Sequence, residues 1–251
     1  MKDLVKSMVK KMRSRINMIV WNLMPVQFQR IITKNRFKKE IYLYKNDRNV
    51  FTTIYKNNIW NSNESYSGDG SRISTIKTIR EKLPVLWRQY GIKTFLDAPC
   101  GDYNWMKEVN KDNIIYIGGD IVNEIIDENN KKYQQENVSF KVMDITNDIL
   151  PTVDMIFCKD CLQHLSYENI FKALQNFKKS NSKYLLTTSY PLTISNWDIF
   201  DGDCRPLNLR IKPFNLPAPI TRIHEKSIGK GYAKDKYMNL YKLENINVLN
   251  K

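Results

Sequence analysis

Lys93-Thr-Phe-Leu-Asp-Ala-Pro-Cys-Gly-Asp-Tyr-Asn-Trp105 decides the fold, because it reads as a strand, a forced turn and the start of a helix. Residues 94–96 are β-prone, Pro99-Cys100-Gly101 compels a tight turn, and Trp105, Met106 and Val109 begin a helical stripe. A strand feeding a helix through a tight turn points backbone N–H groups at whatever lies over the strand end. That is where open α/β sheets bind nucleotides.

Two further strand-like runs follow, residues 114–118 ending at Asp120 and residues 138–143 ending at Asp144. A carboxylate closing the second strand can accept two hydrogen bonds from a ribose diol, and one just past the third can reach an adenine amino group. Asp97 itself, at the end of the first strand, suits an ammonium group on a ligand lying over the turn. The pattern therefore predicts an adenosine ligand that carries an ammonium. The dinucleotide fingerprint G-x-G-x-x-G is absent: Pro99 stands in the turn where a glycine is common, and Tyr103 and Met106 take the glycine positions that follow Gly101. A bulky turn with Asp102 beside Gly101 would repel a pyrophosphate. Any one of these acids alone reads as an ordinary turn former or cap; three in register do not.

Leu96-Asp97-Ala98-Pro99-Cys100-Gly101-Asp102, Gly119-Asp120-Ile121 and Met143-Asp144-Ile145 resemble, in order and spacing, the first three motifs of class I S-adenosylmethionine-dependent methyltransferases. Val153-Asp154-Met155-Ile156-Phe157-Cys158-Lys159-Asp160 resembles the fourth. The resemblance covers roughly residues 50–245. It implies a doubly wound, mostly parallel seven-stranded α/β sheet, S-adenosyl-L-methionine as cofactor, and cofactor contacts from Asp97, Ala98, Pro99, Gly101, Asp120, Ile121, Asp144, Ile145, Lys159 and Asp160. More narrowly, Glu64-Ser-Tyr-Ser-Gly-Asp-Gly-Ser71, the Asp97–Asp102 turn with Asn104-Trp105-Met106, Asp160-Cys-Leu-Gln-His164 and Arg205-Pro-Leu-Asn-Leu209 look like a bacterial subfamily found near surface-polysaccharide functions. The fifth strand is read at residues 184–188, and residues 220–224 and 237–243 as the antiparallel pair that ends this fold.

Composition agrees with one enzyme domain and an extension. The chain has 251 residues, 42% of them hydrophobic, enough for one large core. Of the formal +14, residues 1–48 carry thirteen Lys or Arg against three acids, a net +10, which leaves +4 for the rest. Leu4, Met8, Met12, Ile16, Ile19 and Leu23 fall at helical spacing among Lys2, Lys6, Lys10 and Arg13. The predicted division is a basic amphipathic helical extension, 1–48, and a cofactor-binding domain, 49–251. The favoured reading of the extension is a cover for the core with a solvated cationic face; peripheral contact of residues 1–24 with an anionic membrane is the alternative. The apolar piece 16–26 is too short and polar to span a bilayer and lacks a signal-peptide cleavage site, so the expected place is the cytoplasm or the inner face of the membrane. Four cysteines with a single C-x-x-C and two histidines point to free thiols, with no metal expected.

Methyl transfer to a hydroxyl needs a base near the sulfonium methyl. Asp160 ends the fourth strand and His164 follows four residues later, on the same face if a helix begins between them. These are the catalytic candidates, His164 first, with a neighbouring carboxylate to orient it. After the fifth strand a proline-rich segment runs from Tyr190 to Pro219, and in this topology it lies over the strand ends. Tyr190, Asp203, Arg205 and Asn208 are its candidates for holding the acceptor. The expected partner is a small-molecule or glycan acceptor, with no nucleic acid. The basic extension and 14 tyrosines keep RNA methylation or non-catalytic cofactor binding as alternatives. Against the first, the Asn- or Asp-Pro-Pro-aromatic tetrapeptide that grips a flipped base is missing at Asp160-Cys161-Leu162-Gln163. In the loop 51–71, Trp60 and Tyr66 among Gly and Ser suit either a surface connection or a flap over the cofactor. Residues 72–90 read as a helix stopped by Gly91 and bent or split at Pro84.

Overall fold

The computed structural model describes residues 50–60, 62–225 and 235–247, with Val20 and Leu23 as isolated helical positions. The basic-helix reading of residues 1–48 otherwise lies outside the described residues. No helix among the described residues is long and apolar enough to cross a membrane.

The seven strands are β1 (Thr94–Asp97), β2 (Ile115–Asp120), β3 (Val138–Val142), β4 (Met155–Cys158), β5 (Tyr184–Ser189), β6 (Thr221–His224) and β7 (Tyr237–Lys242). They form one sheet in the order β3-β2-β1-β4-β5-β7-β6, parallel except for β7, which runs antiparallel to both β5 and β6. This is the doubly wound sheet expected from the sequence. Chain direction across the sheet reverses between β1 and β4, so the crevice at their carboxyl ends is the topological switch point.

Alternation along the strands supplies both faces of the core. Phe95, Met155, Phe157, Leu186, Met238 and Leu240 face one way, against Ile79, Leu83, Leu86 and Trp87 of helix α2 (Lys77–Gln89). Leu96, Ile156, Cys158, Leu185 and Tyr241 face the other, against Ile170, Ala173, Leu174 and Phe177 of helix α4 (Tyr167–Lys179). The α4 residues recur at the spacing of a single helical stripe. Each large apolar side chain so buried contributes roughly 1.5–3 kcal/mol. Helix α3 (Asn123–Tyr133) joins β2 to β3, and helix α1 (Val50–Lys56) precedes the loop that leads to α2.

Three local readings are corrected. The helix expected after the Pro99-Cys100-Gly101 turn is only a 3-10 turn, Met106–Glu108. Trp105, Met106 and Val109 are indeed buried, but they plug the sheet from an irregular crossover. Tyr103, in the left-handed region at φ 57°, swings its ring among Tyr116, Tyr133 and Phe140 and diverts the chain before a helix can propagate. The second correction is α2, which starts at Lys77 rather than residue 72, because Glu64 accepts the Ile73 N–H and holds residues 72–76 in turns. Pro84 does not split α2, which runs through it as one helix. The third is the segment after β4, where Leu162–His164 is a 3-10 turn ahead of α4.

Candidate active site

A cavity of about 710 Å³ opens at the carboxyl ends of β1, β2 and β4. Asp97, Pro99, Gly101, Asp120, Ile121, Asp144, Ile145, Lys159 and Asp160 line it; Ala98 does not. Ala98 is fully buried and its N–H donates to the Phe157 carbonyl at 2.9 Å, stitching β1 to β4.

The backbone N–H groups of the glycine turn are spent on the protein. Cys100 N–H donates to Gly119 O at 2.8 Å and Gly101 N–H to Asp120 Oδ2 at 3.1 Å. With no helix behind the turn, the expected fan of free donors is absent, and side chains are what the turn offers a ligand. Asp120 accepts the backbone N–H of Gly101 on Oδ2 and that of Val122, at 3.0 Å, on Oδ1, with the Ile121 N–H directed at it as well. A carboxylate with an oxygen on either side suits a vicinal diol. Burial pushes Asp120 up to about 6 and Asp97 to about 7, the latter opposed by the hydroxyl of Tyr116, which donates to Asp97 Oδ2 at 2.7 Å. A buried carboxyl held at such a value has a favourable place for a cation. Asp144 is tied into its own turn, accepting from Thr146 N–H at 2.8 Å and Asn147 Nδ2 at 2.7 Å. Gly101 sits at φ 55°, and a Cβ there would lie 2.0 Å from Ser67 Oγ; only glycine fits. Burial pushes the Cys100 thiol well up, which suits a packing residue and not a nucleophile.

Across the crevice, Asp160 stands at φ 52°, a conformation that costs a non-glycine residue about 1–3 kcal/mol and marks functional segments. Its carboxylate is gripped by Lys159 Nζ and, at 2.6 and 2.8 Å, by Lys236 Nζ. Glu225 completes the cluster, 3.2 Å from Lys236 and 3.6 Å from Lys159. Burial alone would raise Asp160, but the two ammonium groups reverse this and hold it well below the usual carboxylate range. An acid so held does not take up a proton near neutrality. The geometry therefore removes Asp160 from the role of catalytic base and makes it a fixed anion.

His164 lines the cavity, its ring tilted against Trp60 at 5.2 Å between centroids. Its Nδ1 lies 2.8 Å from the carbonyl oxygen of Asp203. A carbonyl only accepts, so Nδ1 carries the hydrogen and Nε2 keeps a lone pair. Burial lowers the imidazole's pKa below its ordinary value. The partner that orients the ring is thus a backbone carbonyl, where a carboxylate was expected.

The loop after β5 has a different use from the expected one. Tyr190, Asp203, Arg205 and Asn208 are all buried and none lines the cavity. Arg205, fully buried, donates through Nη1 to the carbonyls of Gln163 at 3.3 Å and Leu165 at 2.8 Å and lies over the Tyr167 ring. Gly202 N–H donates to His164 O at 2.8 Å, while Asp201 and Asp198 accept the N–H groups of Ser166 and Tyr167 at the start of α4. Asn208 Nδ2 closes its own loop on Pro191 O and Thr193 O. These residues build a clamp around the His164 turn, not an acceptor pocket. The groups that do face the cavity from this side are Cys161, Ser166, Glu168, Asn169, Lys172 and Asp201; sequence reasoning missed Cys161, Ser166, Glu168, Asn169 and Lys172. The spacing of Leu165, Ser166, Asn169 and Lys172 along one helical face was the available signal.

From the other side, Phe51 and Tyr55 of α1 and Trp60, Tyr66, Ser67 and Ser71 of the following loop close over the cavity, so the flap reading of this loop is the one the geometry matches. All four cysteines are free. Among the described residues no group of three His, Cys, Asp or Glu could hold a metal ion.

Residues 95–181 match a family model described as a methyltransferase domain. No curated protein matches the sequence. Among solved structures, the N-methyltransferase NodS from Bradyrhizobium japonicum WM9, in complex with S-adenosyl-L-homocysteine, superposes with a TM-score of 0.55 at 12% identity, covering 75% of this chain and 97% of that one. An S-adenosylmethionine-dependent methyltransferase from Clostridium acetobutylicum ATCC 824 gives 0.50 at 11% identity over 66% of this chain and 91% of its own. The methyltransferase domain of bacterial CtHen1-CN gives 0.50 at 10% identity, covering 67% and 99%. At these identities the likeness is one of fold.

Proposed function

We propose that this chain, a class I S-adenosylmethionine-dependent methyltransferase, transfers the methyl group to a hydroxyl oxygen of a polar, carbohydrate-related acceptor, with His164 as the base. The observation that carries the reading is the tautomer of His164, neutral by burial, with Nδ1–H pinned on Asp203 O and the Nε2 lone pair left for the cavity. S-adenosylmethionine, when bound, supplies an electrophilic methyl on a sulfonium. Asp120 would hold its ribose diol, Asp97 its ammonium, and the Asp144-Ile145 turn the adenine. Gly101, with no side chain, lets Ser67 of the covering loop close onto the turn.

The protein's task is then to bring an acceptor oxygen in line behind the methyl and to remove its proton. His164 Nε2 would take the acceptor's hydroxyl proton, leaving the oxygen to accept the methyl that the sulfonium would give up. The clamp of residues 198–205 keeps the imidazole in the tautomer this requires. Asp160 stays ionised throughout and keeps the ammonium groups of Lys159 and Lys236 engaged on its carboxylate. The acceptor meets Ser166 and Asn169, the aromatic faces of Trp60 and Tyr66 and the mutually paired charges of Glu168 and Lys172, 2.6 Å apart, and the nearby Asp201 is already spent on α4. Such a wall favours a polyhydroxyl acceptor over a phosphate-rich one.

The test is transfer of labelled methyl to a panel of sugar nucleotides, surface glycans and RNA, with His164→Ala alongside wild type. The expected result is label on a sugar hydroxyl, a loss of turnover of about 10²-fold or more in the variant, and unchanged cofactor affinity. Label on RNA, or on an amine, or wild-type turnover in His164→Ala, would overturn the proposal.

A further inference from the structure

The stretch Glu64-Ser-Tyr-Ser-Gly-Asp-Gly-Ser71 moves no proton in the reaction above, yet it is fastened to both banks of the cavity. On one bank the fastener is Asp102, the residue after Gly101. Its carboxylate accepts from Ser65 Oγ at 2.9 Å, Tyr66 N–H at 2.9 Å and Ser67 Oγ at 3.3 Å, while its own N–H donates to Ser67 Oγ at 3.2 Å. Next to it, Asn104 Nδ2 donates to Glu64 Oε1 at 3.1 Å and Ser71 O at 3.3 Å. On the other bank, Lys159 Nζ donates to Gly70 O at 3.1 Å, and a Cβ on Gly70 would lie 2.8 Å from Asp160 Oδ2. The segment thus bridges the end of β1 and the end of β4, and Tyr66, Ser67 and Ser71 line the cavity between its two seats.

An acid that served only the turn would be satisfied by the N–H of Asn104, which Asp102 does accept, at 3.3 Å. Its other bonds all reach a segment more than thirty residues away in sequence. Ionised acceptors make the stronger hydrogen bonds, and this one spends nearly its whole capacity on holding a loop against the cofactor turn. Gly101 is part of the same fit, since Ser67 Oγ occupies the space its side chain would need.

We infer that residues 64–71 are a strap that retains the bound cofactor, and that Asp102 is the positioning residue that latches it. The inference rests on the cavity being the S-adenosylmethionine site. A latched strap lowers the rate at which the cofactor leaves, because the strap must lift from Asp102 first. Affinity differences of this kind reside mainly in the dissociation rate.

The experiment uses the full chain as wild type, Asp102→Asn and Ser67→Ala. Release of S-adenosylhomocysteine is followed by stopped-flow displacement on tryptophan fluorescence, with circular dichroism as the check on folding. Both variants should release the product about tenfold faster than wild type, with association changed far less. In wild type, S-adenosylhomocysteine should also shield the exposed Tyr66 from chymotrypsin, and this shielding should weaken in the variants. Should Asp102→Asn fail to fold, Ser67→Ala carries the same prediction, as it removes two latch bonds and leaves the carboxylate in place. Wild-type binding with unaltered release and shielding in the folded variants overturns the strap alone. Failure of the wild type to bind S-adenosylhomocysteine at all overturns the cofactor reading and the strap with it.

Discussion

Replacing Lys236 with methionine should cost about 3 kcal/mol of folding stability, far more than a surface ion pair is worth. Its ammonium touches both oxygens of Asp160, at 2.8 and 2.6 Å, and lies 3.2 Å from Glu225 Oε2. The side chains of Lys236 and Glu225 are 10% and 3% exposed, and that of Asp160 is 21% exposed at the cavity. With Lys159, the cluster pairs two cations with two anions; without Lys236 one buried negative charge is left uncompensated. Exposed pairs contribute roughly 0–1 kcal/mol, whereas removing one partner of a buried pair costs about 3–5 kcal/mol. The partial exposure of Asp160 puts this case at the lower end. Urea denaturation measures it directly, and the melting temperature should fall by roughly 6–12 °C for a domain of this size. Restoring the balance with Glu225→Gln on top of Lys236→Met should recover part of the loss, giving a coupling of about 2 kcal/mol in the double-mutant cycle. A single-variant loss below about 1 kcal/mol, or strictly additive effects, would refute the argument that the cluster acts as one neutral unit.

Other outcomes follow from the same geometry. Burial holds His164 below its ordinary value of 6.5, so the neutral, proton-accepting form prevails above that pH; turnover should be flat above it and fall only as pH drops through the lowered pKa, and a limb centred above pH 7 would remove the histidine as base. Asp97 titrates at about 7 in the cavity, above its unfolded value of 3.8, so its contribution to stability is present at low pH and is lost as pH rises through 7. An ammonium beside it reverses that preference, so binding of S-adenosylhomocysteine near pH 6.5 should release up to about one proton, and calorimetric heats that do not vary with buffer ionisation enthalpy would refute the contact. Gly101→Ala forces a side chain into the left-handed region, about 1–2 kcal/mol, and into Ser67; affinity for S-adenosylhomocysteine should drop at least tenfold by calorimetry, and a wild-type constant would contradict the close fit of strap and turn.

The strand ends were legible because a strand, its last residue and the turn after it are local features. Asp97 and Asp120 close β1 and β2, and Asp144 follows β3, all within a residue or two of where the alternation and turn signals put them. His164 was legible as the histidine beyond the fourth strand, but its partner was not, since the Asp203 carbonyl lies 39 residues away and a backbone group leaves no mark in the sequence. Arg205 misled for a related reason. An arginine in a polar, proline-rich loop looks the same whether it faces a ligand or, as here, two carbonyls of a turn 40 and 42 residues earlier. Met106 and Val109 gave a helical period without a helix, because burying those side chains needs only the period, and Tyr103 had already turned the chain. Asp102 in the sequence suggests only repulsion of a pyrophosphate; its bonds to Ser65 and Ser67 depend on how far the loop folds back, which no local pattern states.

Asp160 shows why these long-range ties converge on one residue. Glycine would meet its backbone requirement at φ 52° without strain, so an aspartate there is explained only by its carboxylate. That carboxylate reaches β7 through Lys236 and the His164 turn through Gln163 Nε2 at 3.4 Å. Its neighbour Lys159 carries the connection on to Gly70 of the strap, and its N–H is held by Thr188 Oγ1 of β5 at 2.8 Å. The turned backbone aims the chain so that residues 161–164 face the cavity, while the anion fixes what stands on either side. A single strained residue at the switch point therefore registers the His164 turn, the 64–71 segment and the antiparallel edge of the sheet against one another. The energy stored in its backbone is offset by its bonds to three separate segments, with Lys159 adding a fourth, and that is why a buried charge cluster, rather than an apolar plug, sits beneath the His164 end of the cavity.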